Sequence, residues 1–167
     1  MPGNPSQLLC AASGPGVMFR LTGRPSLDIS HHLRTSADRL LGAGHRQLAL
    51  DLAACPSVDS TFIGVLLYLV KAVRKAAGEE GRVCLLNAGE QVRHQIDTLG
   101  VLDRFQLATS DAAGVQFQAV DVQAADKAGT TRVCLEAHRN LIEACRQNEA
   151  RFQDVIQFLE QDLRQSS

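Results

Sequence analysis

One stretch limits the possible folds more than any other. Leu48, Leu50 and Leu52 alternate with Ala49 and Asp51 as a strand does, and Pro56, which has no N–H for a ladder, closes that strand. From Ile63 onward Leu66, Leu67, Val70, Val73 and Ala77 recur at helical spacing, with Lys71, Arg74 and Lys75 on the opposite face. A strand therefore runs through a short polar turn into a long apolar helix. Asp59, Ser60 and Thr61 stand at the mouth of that helix.

The flanking sequence fits around this unit. Residues 8–12 and 17–22 read as two strands joined at Gly14, Pro15 and Gly16, a hairpin. Ser26 is placed to cap a helix with Leu27, Ile29, Leu33, Ala37, Leu40 and Leu41 on its inner face, stopped by Gly42 and Gly44. Residues 46–52 form the third strand and 82–87 the fourth, with Cys84 expected in the core. A helix at 90–99 follows, ended by Gly100, and then a short strand at 105–107. The order β-β-α-β-α-β-α-β predicts an α/β fold with a mixed sheet, parallel wherever a helix intervenes. Residues 1–110 form this domain. Residues 111–130, poor in periodicity, read as a linker with a short strand near 115–120. Residues 131–167 read as a helical extension. Its first helix carries Leu135, His138, Leu141, Ile142 and Cys145; its second, capped by Asn148, carries Phe152, Val155, Ile156, Leu159 and Leu163. Two such amphipathic helices need a covering surface, either the domain itself or another protein.

Composition excludes several classes. A net charge of −1 gives no general attraction to nucleic acid or anionic lipid, so neither is an expected partner. No apolar run reaches the roughly 18 residues of a membrane span. Met1 to Asn4 and Pro5 lack the basic and apolar regions of an export signal, which predicts a cytoplasmic protein. The five cysteines, Cys10, Cys55, Cys84, Cys134 and Cys145, form no C-x-x-C pair and read as free thiols. No metal or cofactor is expected.

The hydroxyl at the helix mouth admits three roles. As a nucleophile on a strand-to-helix elbow Ser60 would need small neighbours, yet Val58 and Phe62 flank it, and G-x-S-x-G is absent. One of His31, His32, His45, His94 or His138 would also have to reach it; the first two are expected on the surface of the first helix. Phosphate-loop and dinucleotide fingerprints are absent as well. As a cap, Ser60 would share the duty with Asp59. As a phosphate acceptor it would meet the unpaired N–H groups and positive dipole end of the helix. About −1.5 to −2 added charges beside Asp59 would reverse the character of the surface there.

The run from Asp51 and Leu52 through Val58, Asp59, Ser60, Thr61, Phe62, Ile63, Gly64, Val65 and Leu66 resembles the central motif of the STAS domain family, which includes bacterial anti-sigma factor antagonists. Residues 82–87 resemble the family's next strand. VRHQIDTLGVLDRF, residues 92–105, resembles its late helix and the segment after it. The resemblance covers residues 8–108. It implies a non-enzymatic protein that, when unphosphorylated, binds a serine-kinase anti-sigma factor and frees a sigma factor. Phosphate on Ser60 would abolish that binding, and a phosphatase would restore it. Thr61 would be a secondary acceptor, and Asp59, Ser60, Thr61, Phe62 and Ile63 would form the partner-binding surface. Two positions depart from the pattern. Phe62 stands where many antagonists have glycine, which alters the expected surface beside the acceptor. Ser26 stands where many have the aspartate of G-x-L-D. The extension implies docking or homodimerisation through its helices. The competing readings are a scaffold that uses those helices without a switch and, last, a small-ligand sensor for which the sequence supplies no cradle.

Overall fold

Each predicted strand and helix of the domain forms, in the predicted order. In the computed structural model, which describes residues 5–166, β1 (Gln7–Ser13) and β2 (Gly16–Thr22) are an antiparallel hairpin turning at Gly14, whose φ of 55° suits glycine. The Ser26 Oγ accepts the Ile29 N–H at 3.1 Å and starts α1 (Leu27–Gly42). Then come β3 (Gln47–Ala54), α2 (Ser60–Ala77), β4 (Val83–Leu86), α3 (Glu90–Thr98), a 3-10 turn at Leu102–Arg104, and β5 (Gln106–Ala108). The pairs β2–β3, β3–β4 and β4–β5 are parallel, as intervening helices require.

The segment expected to be a linker carries structure of its own. β6 (Gln118–Ala119) pairs antiparallel with β1, giving the sheet order β5-β4-β3-β2-β1-β6. Residues 109–117 therefore travel from one edge of the sheet to the other over the face opposite the helices. Phe117 lies on that path beneath the Arg20 guanidinium, 4.1 Å from its ring centroid. Beside it a cavity of about 700 Å³ is lined by Val115, Met18, Ala49 and Cys84. Cys84, expected in the core, faces this cavity half-buried. The pleat gives the core to Val83 and Leu85 on either side of it. The chain then enters α4 at Lys127, inside the expected linker, where the Asp126 Oδ1 accepts the Gly129 N–H at 2.9 Å. α4 (Lys127–Ala144) and α5 (Asn148–Gln165) complete the structure.

The core lies between the sheet and the helices. Val17, Phe19, Leu21, Leu48, Leu50, Leu52, Val83 and Leu85 point from the strands towards Leu33 and Ala37 of α1 and the buried residues of α2. α4 adds Val133, Ala137 and Leu141 to this same core. Among the described residues no helix is long and apolar enough to cross a membrane. Met1 to Asn4, on which the expectation about an export signal rests, lie outside the described residues.

One buried charge holds the centre of the sheet. Asp51, 3% exposed, accepts the Arg20 Nε–H at 3.0 Å, the Ala53 N–H at 3.0 Å and the Asn87 amide at 3.2 Å. Burial alone would push its carboxyl pKa up. The hydrogen bonds from Ala53, Asn87 and Arg20, with the charge of Arg20, outweigh burial and hold it below the usual carboxylate range. A depressed folded pKa contributes stability that is complete above the unfolded value, about 3.9, and is lost as pH falls through the folded one. Asp51→Asn is expected to cost about 1.5–3 kcal/mol at pH 7, the loss of hydrogen bonds to a charged group. Urea unfolding of both proteins at pH 7 and at pH 3 checks this, with the difference shrinking at the lower pH.

Candidate functional site

The loop after β3 is fixed before α2 begins. Pro56 ends the strand, Val58 is buried, and the Val58 N–H donates to Gln95 Oε1 on α3 at 2.8 Å. Burial pushes the Cys55 thiol up to about 11, with only the contact to the Ser57 carbonyl opposing, so it is an inert core thiol. Asp59 is the sole side-chain cap of α2: its Oδ1 accepts the Phe62 N–H at 2.8 Å. Ser60 was expected to share that role and does not. It is the first helical residue, one position too late for its hydroxyl to reach the N–H groups a cap satisfies.

The Ser60 hydroxyl turns outward to α4 instead. Its Oγ lies 2.9 Å from His138 Nε2. The other ring nitrogen, Nδ1, lies 2.7 Å from the Cys134 carbonyl, which accepts only, so Nδ1 carries a proton and donates to that carbonyl. His138 is 4% exposed and its ring meets Phe152 of α5 edge-on, 4.9 Å between centroids. Thr61 Oγ1 sits 3.4 Å from Cys134 Sγ. Burial raises the Cys134 thiol pKa; the Thr61 contact opposes this, and the nearby Asp59 carboxylate adds to it. A neutral thiol is the result.

The expected binding residues divide into two groups. Asp59 is exposed, and Ser60 and Thr61 are half-buried at the α2–α4 contact. Phe62 and Ile63, 0% and 1% exposed, are core residues, so the assignment of these two to a partner surface is corrected. The helical turn points both at the sheet side, and the bulk of Phe62 fills the interior rather than altering the surface beside Ser60. His31 and His32 are half-buried on α1, where His32 Nε2 lies 2.7 Å from the Gln123 carbonyl. Of the five histidines, His138 is the one that meets Ser60.

Sequence reading missed His138, Cys134, Ala137 and Gly64 as members of one site. A Cβ built on Gly64 would fall on the Ala137 carbonyl and lie 2.6 Å from Ala137 Cα, so the two helix backbones touch there. The signal was present in Thr130, Val133, Cys134, Ala137, His138 and Leu141, a helical face with small residues at its centre.

A serine hydroxyl on an imidazole also occurs in hydrolases, where a substrate cavity adjoins it. The cavity of about 700 Å³ lies across the sheet, and a second, lined by Glu90, Arg93, His94 and Asp97, lies on α3; neither includes Ser60. Among the described residues no group of His, Cys, Asp and Glu is arranged to hold a metal ion. The arrangement suits a polar contact between helices.

Comparison with known proteins agrees with this architecture. A family model, the STAS domain, matches residues 11–113. The fold is similar to that of the anti-sigma factor antagonist SpoIIAA in its unphosphorylated form, with a TM-score of 0.55 and 21% identity over 65% of this chain and 92% of that one. It is also similar to the protein TM1081 of Thermotoga maritima, with a TM-score of 0.54 and 16% identity over 60% of this chain and 79% of that one. A third similar structure is an anti-sigma factor antagonist from Mycobacterium paratuberculosis, with a TM-score of 0.51 and 17% identity over 64% of this chain and 88% of that one. At these identities the likeness is one of fold. No curated protein sequence matches the chain.

The Ser60–His138 contact is expected to stabilise the docked helix. Ser60→Ala leaves the buried Nε2 without a partner and should cost about 1–3 kcal/mol. A double-mutant cycle with His138→Phe, read by urea unfolding, should return a coupling of at least about 0.5 kcal/mol.

Proposed function

The chain belongs to the STAS domain family, and from that premise we propose that it is a phosphorylation-gated antagonist acting in the cytoplasm on transcription. Unphosphorylated, it binds a serine-kinase anti-sigma factor. Phosphate on Ser60 releases that partner, and a phosphatase reverses the step. Thr61 is a secondary acceptor and Asp59 lines the site. The observation that carries the reading is the place of Ser60: the first residue of an 18-residue helix, behind a side-chain cap at Asp59. The Ser60 and Thr61 N–H groups have no helical partners there, and the positive end of the helix dipole favours a phosphate. The protein then works by binding and being modified rather than by turning over a substrate.

The second reading is a scaffold without a switch. It is favoured by the engagement of the Ser60 hydroxyl with His138 and by Phe158 on α5, 68% exposed beside the exposed Val155, a surface on which a partner or a second copy of the chain would sit. Incubation of the full chain with its serine kinase and ATP, followed by peptide mapping, distinguishes the two. Phosphate is expected on Ser60 and is lost in Ser60→Ala. Partner binding by Ser60→Asp should weaken at least about tenfold, or 1.4 kcal/mol, relative to Ser60→Ala. Equal binding by both variants would favour the scaffold.

A further inference from the structure

α4 and α5 lie wholly beyond the family core, which ends at residue 113. They nonetheless cover the face of α2 that begins at Ser60. α4 runs along α2 in the same direction: Ser60 meets His138, Thr61 meets Cys134, Gly64 meets Ala137, and Lys71 meets Asn140 at 3.0 Å and Glu143 at 2.6 Å. Arg34 of α1 pairs with Glu136 at the flank. Val133, Ala137 and Leu141 supply the apolar contact, and the exposed ion pairs around it contribute little.

α5 holds to α4 more than to the domain. The Phe152 ring lies against His138, Glu160 pairs with Arg139 at 2.7 Å, and Asp162 pairs with Lys127 at 3.3 Å. At the corner between them, the buried Asn148 amide donates to the carbonyls of Leu99 and Leu141, each at 2.9 Å. The hairpin is thus one unit, pinned at its corner to the end of α3.

We infer that this hairpin is a lid built into the chain, which closes the face of α2 at Ser60 and must lift for phosphate or a protein partner to reach it. The inference rests on the reading of Ser60 as the phosphate acceptor, and deepens it. With the lid down, Ser60 Oγ and His138 Nε2 are 2.9 Å apart, which leaves no room for a phosphorus atom and its oxygens between them. The Ser60 hydroxyl is therefore not available to a phosphate donor while α4 is docked. Asp59 adds a carboxylate at the same helix end. With the lid lifted, the bare backbone at Gly64, flanked by Leu67 and Tyr68, becomes a surface shaped for a protein partner that presents small residues, as Ala137 does.

Hydrogen exchange of the full chain, read by peptide, tests this, with alkylation of the half-buried Cys134 as a second readout. In the native protein α4 amides should exchange faster than those of β3, because the lid opens without global unfolding. Gly64→Ala places a Cβ on the Ala137 backbone and should speed both α4 exchange and Cys134 alkylation by about tenfold or more, with β3 little changed. Thr61→Cys, oxidised to a disulfide with Cys134, should slow α4 to the rate of β3 and block phosphate addition to Ser60, and reduction should restore both. This second variant carries the test alone if Gly64→Ala does not fold. Exchange of α4 and β3 at one common rate in the native protein and in reduced Thr61→Cys would overturn the lid. A lid that opens in these assays while Ser60 takes no phosphate from the kinase would leave the lid standing and overturn the acceptor reading.

Discussion

The structure depends on α2 being apolar on more than one side. Phe62, Leu66, Leu69 and Val73 pack into the interior and are 0% exposed, yet Gly64, Val65 and Leu67 are buried too. A helix lying on a sheet needs only one apolar stripe, so a helix buried this fully needs a second cover. α4 supplies it, and the absence of a side chain at position 64 decides how closely it can lie. Without that backbone contact the helices would stand further apart and the small polar groups at their ends would not meet. The hydroxyl-to-imidazole distance at Ser60 is thus a consequence of a glycine one turn later.

Much of the domain was legible in the sequence because its signals are local. Period-two apolar residues marked the strands, Ser26 and Gly14 marked a cap and a turn, and the parallel pairings followed from which connections contain helices. The extension was legible as two amphipathic helices, but not where they lie. That choice depends on packing between residues far apart in the chain, and period alone could not say that Ala137 rather than Ile142 faces the domain. The apolar character of residues 63–70 on every side was the available clue. Ser60 was likewise readable as a helix-mouth hydroxyl. Its partner was not, because a histidine 78 positions away is brought in by topology alone. Phe62 misled for a related reason: next to Ser60 in sequence, it points to the other side of the helix.

The family core and the extension use different physics. The core is held by a dense apolar interior and by Asp51, whose charge is neutralised and hydrogen-bonded inside the sheet. The extension adds Val133, Ala137 and Leu141 to that interior and borders them with polar contacts, and its N-terminal end is attached by light contacts such as the Ala125 N–H to Asp28 Oδ1 at 3.2 Å. One part is thus suited to stay folded while the other changes position.

The route of residues 109–126 sets the terms on which any outside partner competes. This stretch rounds the sheet, is fastened through β6 to β1, and delivers α4 directly to α2. A helix held on so short a leash sees its docking face at an effective concentration on the order of millimolar. A free partner at micromolar abundance starts about a thousandfold behind and must make up the difference in intrinsic affinity. Lengthening or cutting the strap would lower that threshold without altering a single contact at the face itself.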